Sequence, residues 1–195
     1  NIPYTKFSIA RRIEMKRHSV FKNGLSIFSA SIFGYILSLF IFFSIGLAFD
    51  SLMLRIVVQI ICILTFYGPI YMNAWGFGDR DCNYVSFNRI KKDMLFGLKI
   101  GLIAVIPYFL TSAILIYSKL NPMHNLVLAY KLLNTHLFGI IYLIAPSAEI
   151  KDFSWPDIFL LNALNIFIPA VSTLGYVLGF KRISISQKLI FKNKK

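Results

Sequence analysis

Asp79, Asp81 and Asn83 have the spacing of the first three ligands of an EF-hand calcium loop, in which alternating oxygen-bearing side chains face one cation. The pattern then stops. The position that needs glycine for the sharp turn holds Tyr84, and the position of the closing bidentate glutamate holds Ile90. Other groups suited to acid–base or metal chemistry are His124, His136, Glu149, Asp152 and Asp157. The chain has three histidines, and His18 lies far from the other two in a basic N-terminal stretch, which leaves too few for a zinc site built on imidazoles. No HExxH, GxSxG, Ser–Lys or paired-aspartate motif is present, and the spacing of Cys62 and Cys82 fits no metal site. No cofactor or metal is expected, and the reading leans away from an enzyme.

The remaining polar candidates sit within long apolar stretches. They are Gln59, Lys131, Asn134, His136, Asn162 and Asn165. A polar side chain surrounded by hydrocarbon either bonds across to another helix or lines a polar pocket. Asn162 and Asn165, three residues apart, share a helix face one turn before Pro169, and interhelical hydrogen bonding is the simpler role for them.

The elements that must carry these residues follow from composition. Of 195 residues, 57% are hydrophobic and only 15% charged, well below the ~25% charge usual in soluble domains. Four apolar blocks, over 25–49, 56–74, 96–117 and 158–179, each approach the ~20 residues that cross a bilayer core. They are continuous rather than alternating, so helices are expected and a membrane β-barrel is not. The fold class is therefore an all-α membrane protein: a bundle of four transmembrane helices plus one further element at 126–146. The chain divides into a basic amphipathic arm (1–24), one transmembrane domain (25–179) and a basic tail (180–195).

The formal net charge is +13, and its placement orients the chain. Lys and Arg cluster before the first block, between the second and third, and after the fourth. That is the positive-inside pattern, with both termini on the cytoplasmic side of the cell membrane against an anionic inner leaflet. Because the spans divide the positive charge, no nucleic-acid partner is expected. Both ends inside require an even number of crossings. The apolar stretch 126–146 breaks that parity if it spans, and Lys131 would cost ~3 kcal/mol at mid-span. A bent re-entrant or interfacial element, broken at Asn134-Thr135-His136, satisfies both constraints. A fifth helix with Lys131 reaching for the surface is the alternative.

Small residues four apart mark close helix contacts in lipid: Ala30, Gly34 and Ser38; Gly97 and Gly101; Gly175 and Gly179. Pro69, Pro107 and Pro169 should bend their spans. Trp75 to Leu95 reads as an inner loop with a Gly-bounded turn, mixing both charge signs with aromatics. Trp75, Asp79, Asp81, Arg89, Lys91 and Lys92 are its candidate contacts for a cytoplasmic partner, and a protein partner in the membrane is expected as well. Two functions result: a non-enzymatic subunit or scaffold of a larger membrane complex, or a small-solute transporter or its substrate-binding component.

Overall fold

The computed structural model describes residues 19–46 and 51–183. Helix α1 spans Val20–Ile41 and runs on through a π-helical turn, Phe42–Gly46. The other long helices are α2 (Leu52–Ser86) and α3 (Phe96–Leu120). Two short helices, α4 (Val127–Leu133) and α5 (Phe138–Ile144), follow, and then α6 (Trp155–Ala163) continues through a 3-10 turn into α7 (Phe167–Phe180). There are no strands among the described residues. Four helical segments, with α6 and α7 counted as one, are long and apolar enough to cross a membrane. Most of the expected arm and tail (residues 1–18 and 184–195) lies outside the described residues.

Helices α1 and α7 each pack against both α2 and α3. Glycines let them approach. A Cβ at Gly34 of α1 would lie 2.9 Å from the Thr65 carbonyl oxygen of α2. That carbonyl has lost its helical donor because residue 69 is proline, so Pro69 and Gly34 act together. Ser38 Oγ lies 2.9 Å from the carbonyl oxygen of Cys62 on the same face, and Ala30 is half-buried. Gly97 and Gly101 of α3 receive α7 near Thr173 and Pro169. Gly175 and Gly179 of α7 meet the α2 backbone at Tyr71 and Trp75. The small-residue faces thus serve contacts within this one chain. Pro169 follows the 3-10 turn at Leu164–Ile166, where its ring would crowd the carbonyl of Asn165 in a regular α-helix.

Sequence and structure part at the second span. Trp75–Ser86 was expected within a loop but is the last third of α2, and only 87–95 are non-helical or turn. At ~1.5 Å per residue the 35-residue helix is roughly 52 Å long, so it extends beyond a bilayer core. Gly76 and Gly78 do not break it. Gly78 instead admits the backbone of Tyr176 and Phe180. The helix stops at Asn88, which adopts a left-handed φ of 52°. The Arg89 N–H reaches back to the Tyr84 carbonyl and the Asn88 N–H to Val85, forming a Schellman cap. Helix α7 ends beside it in the same way, with Arg182 at φ 54°.

Stretch 126–146 folds back on itself. Its two helical arms meet at 88°. Its ends lie together: Asn125 Nδ2 donates to the Ala148 carbonyl at 2.8 Å, and Lys119, in the last turn of α3, donates to the Phe153 carbonyl at 2.5 Å. The segment therefore enters and leaves at one end of the bundle, opposite the basic end. Ser154 and Asp157 then start α6 with a reciprocal capping box.

Candidate functional site: the tip of the bent hairpin

The hairpin divides the interior in two. Toward the basic end a core forms around Phe66, Ile70, Ile100 and Tyr176. At the opposite end a second core forms around Leu115, Tyr130, Ile141 and Leu161, and the hairpin supplies much of it. Tyr67 packs against both. The break between the arms lies where they meet. Phe66 and Tyr108 are near the middle of their spans, and the His136 ring stacks on Phe66 with centroids 3.6 Å apart and planes 13° from parallel.

A break at that depth leaves backbone groups that lipid cannot satisfy, at several kcal/mol each. Side chains bond the backbone around it. Gln59 of α2 donates from its amide to the His136 carbonyl at 2.6 Å and accepts from the Gly139 N–H at 2.7 Å. Asn134 Nδ2 donates to the Tyr130 carbonyl at 3.0 Å, and Tyr35 of α1 donates to the Leu132 carbonyl at 3.2 Å. Lys131 is buried and crosses from α4 to the end of α5. There its ammonium meets the carbonyls of Ala145, Pro146 and Ser147 at 3.0, 3.4 and 2.7 Å. A cation beside the C-terminus of a helix is favoured by the helix dipole as well as by the bonds. Lys131 thus fastens the two arms together.

Of the intramembrane candidates, Lys131, Asn134 and His136 belong to this hairpin and Gln59 of α2 bonds to it. The asparagines of α6 and α7's lead-in lie apart from it in role. Asn165 is buried and donates to Ser112 Oγ of α3 at 2.9 Å. Asn162 Oδ1 is buried without a hydrogen-bond partner among the described residues. His136 Nδ1 and the hydroxyls of Tyr67 and Tyr71 share that condition. The tyrosines were passed over in the sequence, yet Tyr35, Tyr108, Tyr130 and Tyr176 all direct hydroxyls into the bundle. The Tyr108 hydroxyl bonds Ser31 Oγ at 2.8 Å. The signal was available as phenols inside apolar runs, which seek partners when buried.

The candidates at the basic end divide. Trp75 Nε1 donates to the Ile183 carbonyl at 3.0 Å. Asp81 is buried and accepts from the Tyr176 hydroxyl at 3.0 Å, with Arg80 Nε at 3.9 Å. Asp79 pairs with Arg182 at 3.7 Å, and Arg182 also bonds Asn83. These residues tie the end of α2 to the end of α7. Being helical and engaged with α7, they do not form a cation loop. Arg89, Lys91 and Lys92 are exposed in the following turn. Arg89 lies over Phe87 and Lys92 over Phe180. Among the described residues no group of three or more His, Cys, Asp or Glu gathers where a metal could bind. In comparisons with protein-family models, curated proteins and solved structures, the chain matches none of them.

Proposed function

We propose that this multi-pass membrane protein is a non-enzymatic subunit or scaffold of a larger membrane assembly. In this reading both termini are cytoplasmic and the basic end lies against an anionic inner leaflet of the cell membrane. One observation carries it: the hairpin fills the far half of the bundle, and Gln59 and Lys131 are spent on holding it. Chemistry available to another molecule then lies on the outside. The turn after α2 presents Arg89, Lys91 and Lys92 beside Phe87, which is 70% exposed. Cations beside an aromatic suit an acidic surface on a protein partner. The test is purification in mild detergent of the wild type and of the triple variant Arg89→Glu, Lys91→Glu, Lys92→Glu. A stoichiometric partner held by the wild type and released by the variant is the expected result. Identical recovery of all companions from both proteins would remove the turn as the contact, and a wild type isolated only as a free monomer would remove the subunit reading.

The second reading, a small-solute transporter or its binding component, draws on a different observation. His136 Nδ1 and the Tyr67 hydroxyl are buried at mid-span with no partner among the described residues.

A further inference from the structure

We propose that the mouth of the seam between α3 and α7 binds the headgroup of an anionic phospholipid, with Lys92 and Lys181 as its cations. The proposal takes from the subunit reading only the placement of the basic end at an anionic leaflet, and it needs no protein partner. Contacts along the seam lead to that point. Ser172 Oγ donates to the Gly97 carbonyl at 3.0 Å, the rings of Phe96 and Tyr176 follow with centroids 5.5 Å apart, and Phe180 lies beyond Tyr176 at 6.3 Å. The Lys92 ammonium lies over the half-buried Phe180 ring, 5.8 Å from its centroid, and Lys181 is the next residue along α7's end. Among the cations of the turn, Lys92 thus leans onto α7, whereas Arg89 lies over Phe87 within the turn itself. A cation held on an aromatic face keeps its charge in one place.

Charge, depth and apolar surface together define the ligand. The neighbouring carboxylates are committed elsewhere. Asp93 accepts from Lys99 at 2.9 Å and from the Leu95 N–H at 3.0 Å, and Asp79 pairs with Arg182 at 3.7 Å. Neither Lys92 nor Lys181 forms an ion pair with a carboxylate among the described residues, and both are exposed. Trp75 sets the depth: its Nε1 donates to the Ile183 carbonyl, two residues past Lys181, and tryptophan rings favour the headgroup level. Toward the bilayer core the same two helices expose Leu98 and Leu102 of α3 and Leu174 of α7. A soluble anion would meet only the two ammoniums. A phospholipid meets them with its phosphate while its acyl chains lie on the leucines, and basic pockets between transmembrane helices suit anionic headgroups in this way.

The experiment is electron paramagnetic resonance on the purified full chain in phosphatidylcholine bilayers, with spin-labelled phosphatidylglycerol or spin-labelled phosphatidylcholine as the probe. The motionally restricted fraction of each probe gives the preference of the protein surface for the anionic lipid. The wild type and Lys92→Arg should restrict phosphatidylglycerol several-fold more strongly. Lys92→Gln should lower that preference about twofold, and the double variant Lys92→Gln, Lys181→Gln should lose it. Lys22→Gln, the same loss of charge on α1, should leave it unchanged. A wild type without preference overturns the proposal. Equal loss in Lys92→Gln and Lys22→Gln also overturns it, because it marks a diffuse field of charge. A preference abolished by inorganic phosphate at constant ionic strength overturns it in favour of a soluble anion. The first and last readings are made on the wild type, so they survive misfolding of any variant. No partner is in the sample, so failure here leaves the subunit reading standing, and loss of that reading leaves this site standing.

Discussion

Gln59 shows how one residue can make an unfavourable backbone tolerable. Its amide is a donor and an acceptor on one planar group, and the hairpin break presents one carbonyl and one N–H to it. Gln59→Leu keeps the volume and strands both groups, at about 1–3 kcal/mol each. Gln59→Glu keeps the acceptor but sets a carboxylate against the His136 carbonyl, so it rescues little. Both variants should unfold at lower temperature in detergent than the wild type, and a Gln59→Leu protein of unchanged stability would show that the break is satisfied another way. Lys131 gives a related expectation. Lys131→Met removes the ammonium from three carbonyls, so amide hydrogen exchange should rise at 143–149 and stay unchanged in α2. The types of these residues were plain in the sequence, because glutamine and lysine inside apolar runs demand partners. The identity of the partners was not, since Gln59 and Gly139 are 80 residues apart and only the folded chain joins them.

At the scale of elements, the glycines of α2 and α7 differ by what lies opposite them. The Gly-Phe-Gly run at 76–78 reads as a turn because glycine lowers helix propensity by about 1 kcal/mol. Tertiary packing overrides it: a Cβ at Gly78 would strike the Tyr176 carbonyl, so the residue is small to let α7 approach. The four spans were legible because continuous apolar length is a strong signal. Their ends were less so, because the far end of α2 is polar and its carboxylates find their partners on α7, a hundred residues later. Two substitutions separate the roles of these glycines. Gly76 has open space for a Cβ, so Gly76→Ala should leave stability unchanged or raise it by about 0.4–1 kcal/mol. Gly179→Val, against the Trp75 backbone, should force α2 and α7 apart and lower the yield of folded protein in detergent. Equal behaviour of the two in a thermal melt would deny that close α2–α7 contact matters.

For the whole molecule, the decisive quantity is the number of crossings. With both termini on one side, as proposed, the number is even, whereas apolar length alone counts up to five segments. On the proposed orientation the hairpin reconciles them: its ends meet through Asn125 and Ala148, so 126–146 would add apolar length without changing sides. The polar residues at its break thereby gain a purpose, since a bent segment exists only where protein covers its backbone. This arrangement can be tested without knowing the protein's partners. In a Cys62→Ala, Cys82→Ser background, single cysteines at Asn125, Ala148 and Asn88 are labelled with a membrane-impermeant maleimide in sealed vesicles. Asn125→Cys and Ala148→Cys should react from the same side, and Asn88→Cys only from the other, which the proposed orientation makes cytoplasmic. If positions 125 and 148 react from opposite sides, the segment is a fifth span. The Gln59 and Lys131 contacts would then belong to a different packing, and the two termini would lie on opposite faces of the membrane.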